Sequence, residues 1–122
     1  MPPNPVCWFD VYVQDMARAK AFYEAALGLQ FQKLNTEHDM WAFPMAMEGY
    51  GAGGALVRME GVPSGGTGTM VYFSCEDCAV EAARVNPAGG RVERPKFAIG
   101  EYGFIALARD TEGNMFGLHS LK

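Results

Sequence analysis

The sequence predicts an α+β protein built from two copies of one βαβββ module, and three observations predict it. First, residues 8–28 (WFDVYVQDMARAKAFYEAALG) and residues 70–90 (MVYFSCEDCAVEAARVNPAGG) align at an offset of 62 positions, about half of the 122-residue chain. Phe9 then meets Val71, Val11 meets Phe73, Val13 meets Cys75, Asp15 meets Asp77, Ala17 meets Ala79, Ala21 meets Ala83 and Gly28 meets Gly90. Second, each copy opens on a run of β-branched and aromatic residues at alternate positions, the pattern of a strand. Third, each run is followed by an aspartate suited to cap a helix, by apolar residues at helical spacing, and by a glycine-containing stop.

Taken in order, residues 6–13 predict the first strand. Asp15 predicts an N-cap, and Met16, Ala19, Phe22/Tyr23 and Ala26/Leu27 recur on one helical face before Gly28. LQFQKL predicts a second strand, and further strands are expected at about 40–47 and about 53–60. The second copy repeats the order with a strand at about 69–75, Asp77 as cap, a helix to about Asn86, the breaker NPAGG, and strands at about 91–95, 103–109 and 114–120. The chain reads as one domain over residues 1–122, with module one at about 5–60, a linker at about 61–68 within GVPSGGTGT, and module two at about 69–122.

Bulk composition narrows the function classes. The chain is 49% hydrophobic and 20% charged, an ordinary globular balance. Net charge is −4 with no basic stripe, which argues against nucleic acid as a partner. No apolar run reaches the length of a membrane span, and MPPNPV has neither the basic nor the apolar region of a signal peptide. Three cysteines without framework spacing fit the reducing cytoplasm. Cys75-x-x-Cys78 has the spacing of a redox dithiol or half a zinc site, but no second pair completes a zinc site. By the repeat, Cys75 stands where Val13 stands and Cys78 where Met16 stands, so both read as small core hydrophobes.

The two copies, together with FYEAALG (residues 22–28) in the first and DTEGN (residues 110–114) closing the second, resemble the vicinal oxygen chelate superfamily. That group contains glyoxalases, bleomycin resistance proteins and extradiol dioxygenases. The resemblance implies a curled eight-stranded mixed sheet with a concave cavity, and chains that pair as homodimers. It also implies a divalent metal held by His and Glu at four positions, which fall here on Trp8, Met70, Gly117 and either Leu56 or Gly54. Indole, thioether, an alkyl group and hydrogen are poor replacements for imidazole and carboxylate, so no metal and no other cofactor is expected.

Alternation along the strands assigns the cavity lining. Trp8, Asp10 and Tyr12 are expected inward, as are Met70, Tyr72 and Ser74, and Met115, Gly117 and His119. In MWAFPMAM one of two registers brings Trp41, Phe43 and Met45 inward. Gly117 should leave extra room where the family has a carboxylate. Gly100 and Gly103 flank Tyr102 in a turn expected near the cavity mouth, and His38 falls in a polar turn. A concave, aromatic and Met-rich lining with few polar groups suits a small, partly apolar or aromatic molecule, bound without metal. The alternative is a glyoxalase-like lyase or isomerase, either metal-independent with Asp10 and His119 as an acid–base pair or, less favoured, metal-dependent. An accessory domain without a small ligand is a further reading.

Overall fold

The structure, a computed structural model, describes residue 4 and residues 6–46, 48–49, 51–66 and 68–122. Met1–Pro3, Pro5, Met47, Tyr50 and Thr67 lie outside the described residues; they carry parts of the opening segment, the expected third strand, the glycine-rich GYGAGG stretch and the linker.

Module one runs β1 (Trp8–Tyr12), α1 (Met16–Leu27), β2 (Gln32–Lys33), β3 (Asp39–Ala42) and β4 (Gly53–Arg58). Module two runs β5 (Val71–Ser74), α2 (Cys78–Val85), β6 (Arg91–Ala98), β7 (Phe104–Arg109) and β8 (Met115–Ser120), with a short 3₁₀ turn at Gly100–Tyr102. Each module forms one four-stranded mixed sheet, ordered β1-β4-β3-β2 and β5-β8-β7-β6. In each, the first strand lies parallel to the last, Trp8 beside Gly53 in one and Val71 beside Phe116 in the other. The two sheets side by side make the curled eight-stranded arrangement.

The caps expected from sequence form. Asp15 accepts from the Arg18 N–H at 3.0 Å, and Asp77 accepts from the Ala79 N–H at 3.0 Å. Gly28 closes α1 in the left-handed region (φ 69°), where its N–H reaches the Glu24 carbonyl. Both helices bury one face against the sheets, led by Phe22 and Tyr23 in α1 and by Cys78, Ala82 and Val85 in α2. Fully burying one large apolar side chain of this kind contributes about 1.5–3 kcal/mol.

β2 covers only Gln32–Lys33 of the expected LQFQKL, and two further strand ends differ from expectation for reasons of backbone chemistry. β3 stops at Ala42, because Pro44 has no N–H to continue the ladder after the Phe43 N–H reaches the Gly54 carbonyl at 2.9 Å. β6 instead continues through Pro95 to Ala98. It is an edge strand with register shifts on either side of Arg94, and a proline at an edge leaves no partner unsatisfied.

Cys78 is fully buried at the start of α2, where its N–H donates to the Ser120 hydroxyl at 3.0 Å. Burial, with Glu81 alongside, pushes the Cys75 thiol up to about 12, so it is not a low-pKa thiolate.

The modules are clasped by the turn at residues 110–114. Tyr23 donates to Asp110 Oδ2 at 2.6 Å, and Asn114 donates to the Tyr12 carbonyl at 2.9 Å while accepting from the Gly65 N–H. The buried Glu112 carboxylate accepts from the Gln14 and Asp15 N–H groups and from the Arg18 guanidinium, the last at 2.7 Å. Burial by itself raises the Glu112 carboxyl, but the bonds from Arg18, Asp15, Gln14 and Thr111 together outweigh it and pull it down to about 2.

Because that value lies below the ordinary 4.5, the contribution of Glu112 is fully present above pH 4.5 and fades as pH falls toward 2. Burial moves Asp110 the other way, above the usual carboxylate value, so its protonation partly offsets the loss. Glu112→Gln should therefore cost about 2 kcal/mol at pH 7 in urea unfolding, and the gap between wild type and variant should narrow between about pH 4.5 and pH 2.

Candidate functional site

β1 and β5 are each the outer strand of their own sheet, and among the described residues no strand pairing joins them. Side chains close the seam instead. Phe73 lies 6.3 Å from Phe9, 5.3 Å from Phe43 and 5.8 Å from Tyr23, ring centroid to centroid, at tilted or edge-on angles. Because no ladder fills the seam, side chains from both faces of β1 and β5 are reachable from outside, and two hollows open along it.

The larger hollow has a volume of about 910 Å³. Its floor is Phe9, Phe43 and Phe73; one wall is Tyr72, Ser74 and His119 from β5 and β8. Its rim is Ile99, Tyr102 and Ile105, around the β6–β7 connection. His119 sits beside Ser74 in the β5–β8 register, and its Nε2 lies 2.7 Å from the Tyr102 carbonyl oxygen. The smaller hollow, about 330 Å³, lies under the linker and is lined by Asp10, Tyr12, Met115 and Asn114.

The structure thus distributes the residues singled out from sequence. Phe43, Met70, Tyr72, Ser74, Tyr102 and His119 line the larger hollow, and Asp10, Tyr12 and Met115 the smaller. Asp10 and His119 stand in different hollows and have different partners: Asp10 accepts from the Trp8 indole N–H at 2.9 Å, and His119 meets Tyr102. Among the described lining of the two hollows, Trp8, Trp41, Met45 and Gly117 do not figure. Trp8 and Met45 lie together over Gly53. Trp41 pairs with the core residue Leu56 and turns toward α1, where the Lys20 ammonium sits 3.2 Å from its ring centroid. His38 is exposed in its turn.

Gly117 corrects an expectation. The room it leaves is taken by the Tyr72 ring, its register neighbour on β5, which a Cβ at Gly117 would overlap. The hollow also uses Phe9, Val71 and Phe73, which alternate along β1 and β5 with the residues expected inward. The available signal was the repeat itself, since the two first strands are equivalent and stand at the outer edges of their sheets.

The side chains at the metal positions of the resembled family do not fit a hard divalent cation. Trp8 offers an indole already donating to Asp10, Leu56 is fully buried in the core, and Gly54 has the Phe9 ring against it. Among the described residues, no three His, Cys, Asp or Glu side chains gather as a metal-holding group.

Comparison with known proteins gives the following. The model of the Glyoxalase/Bleomycin resistance protein/Dioxygenase superfamily matches residues 6–118. CFP32 of Mycobacterium bovis, which carries a provisional glyoxylase name, is 28% identical over 113 residues, 91% of this chain and 43% of its own. The chain therefore spans less than half the length of the curated relatives it matches. Glyoxalase I of Zea mays superposes with a TM-score of 0.75 at 24% identity, covering 98% of this chain and 47% of that one. TnmS3, an antibiotic binding protein from Streptomyces sp. CB03234, superposes at 0.69 with 25% identity over 98% of both chains.

The contact of Tyr72 with Gly117 makes a prediction. Gly117→Ala should cost about 1–2 kcal/mol by overpacking, and the cost should largely vanish in a Tyr72→Ala background. A double-mutant cycle read by thermal unfolding checks it.

Proposed function

Because the chain belongs to the glyoxalase/bleomycin resistance protein/dioxygenase superfamily, we propose that it binds a small, apolar or aromatic molecule in the larger hollow, without the divalent metal of the family's enzymes. The observation that carries this reading is the hollow itself: about 910 Å³, floored by three phenylalanine rings, with no Lys, Arg, Asp or Glu in its described lining. A concave site of that size and polarity is the usual setting for a small ligand held by apolar area and oriented by a few polar groups. The likeness to TnmS3, which is an antibiotic binding protein, supports the same reading.

No observation favours proton transfer by Asp10 and His119, since these two line separate hollows. We further place a second copy of the chain against the open face of the first sheet, where Trp8 is 37% and Met45 49% exposed. The same reading puts the protein in a reducing compartment, with its three cysteines free.

Equilibrium dialysis against a panel of neutral polycyclic compounds tests the proposal. At least one should bind with micromolar Kd, about −8 kcal/mol, and that affinity should survive exhaustive EDTA treatment. Ser74→Trp, which places an indole in the hollow, should weaken binding more than tenfold, whereas Asp10→Asn should leave it within about twofold. Binding that disappears with chelator, or that ignores Ser74→Trp, contradicts the proposal.

A further inference from the structure

The character of the larger hollow narrows the ligand beyond its size, and this inference rests on the reading of that hollow as a binding site. Its described lining carries no ionisable group apart from His119 and tyrosine phenols. The cations on the neighbouring strands are engaged elsewhere. Arg94 lies 3.5 Å over the Phe97 ring, Lys96 reaches Asp77 at 2.8 Å, and Arg109 pairs with Glu93 at 3.3 Å. A carboxylate, phosphonate or ammonium in this hollow would give up part of its hydration against the aromatic floor and find no opposite charge in the described lining, which is costly. The ligand class is therefore uncharged.

His119 supplies the polar direction. A backbone carbonyl only accepts, so the 2.7 Å contact between Nε2 and the Tyr102 oxygen places the ring proton on Nε2. In that tautomer Nδ1 is an acceptor, and among the described residues the ring makes only the bond to Tyr102. We propose that His119 is the specificity-determining residue of the hollow, its Nδ1 accepting a hydrogen bond from a hydroxyl or N–H on an uncharged planar aromatic ligand. The Tyr102 carbonyl acts as a positioning group that fixes the tautomer and ring plane. The aromatic floor holds the ring system of the ligand, and the acceptor selects the analogue that can donate. His119 is half-buried, and an acceptor that ligand binding desolvates disfavours a ligand that cannot fill it more strongly than an apolar pocket disfavours a missing methylene.

Three naphthalenes separate these terms by isothermal titration calorimetry at pH 7.5: 2-naphthol, 2-methoxynaphthalene and 2-naphthoate. Wild type should bind 2-naphthol at least tenfold more tightly than either of the others. His119→Gln keeps an amide N–H near the place of Nε2 and has no acceptor at Nδ1. It should bring 2-naphthol to the level of the methyl ether while leaving the ether within about twofold of its wild-type affinity. His119→Asn, whose Oδ1 stands near the place of Nδ1, should keep most of the preference. Equal binding of the three compounds by wild type, tighter binding of 2-naphthoate, or an undiminished preference in His119→Gln overturns the proposal while leaving the hollow a binding site. Loss of ether binding in both variants assigns His119 to holding the turn and also overturns it. No binding of any of the three to wild type contradicts the reading of the hollow together with this inference.

Discussion

The carboxylate of Glu112 and its neighbours in the 110–114 turn hold a relation that no backbone ladder holds. The two sheets share no paired strands among the described residues, so their relative placement rests on side chains. Glu112 satisfies the N–H groups of Gln14 and Asp15 at the entry to α1 and pairs with Arg18. Asp110 accepts a hydrogen bond from the hydroxyl of Tyr23 in the middle of the same helix, and Asn114 reaches the carbonyl at the end of β1. One five-residue turn of module two thereby fixes the helix, the first strand and, through Ser64 and Gly65, the linker of module one. Each bond replaces a water contact that a buried polar group would otherwise lose, which is why removing one partner costs more than a surface ion pair would.

With that clasp in place, the seam between β1 and β5 can stay open. The rings of Phe9 and Phe73 form the floor of a hollow and also pack against the core rings, Phe9 on Phe43 and Phe73 on Tyr23 and Phe43. The surface of the hollow and the hydrophobic core are thus continuous, and a substitution in either is felt in both. The same economy of space appears at Gly117, where the Tyr72 ring occupies the place a longer side chain would need. Two of the positions that the family resemblance assigned to metal ligands are thus covered by aromatic rings, Gly117 by Tyr72 and Gly54 by Phe9.

Much of the fold was legible because it is local. The repeat at 62 residues, the caps Asp15 and Asp77 and the stop at Gly28 each depend on neighbours in sequence, and each has its expected structure. The site was less legible because its geometry depends on which strands stand at edges. Alternation separates a sheet face toward helices from a face toward a cavity, and at an unpaired seam that separation fails, as Phe9 and Phe73 show. The same property let β6 run through Pro95, while Pro44 ended β3 next to a paired strand. Trp41 turned toward α1, where Lys20 covers its ring, a contact between residues 21 apart that no local pattern encodes.

The most direct test of the account is a two-dimensional ¹H–¹⁵N NMR titration of the uniformly labelled protein with a neutral aromatic ligand. The account predicts shift changes concentrated at residues 71–74, 99–105 and 119, with the linker hollow near Ser64 and Asn114 little changed. Changes centred on that linker hollow, or on Trp8 and Met45 over the open face of the first sheet, would contradict it.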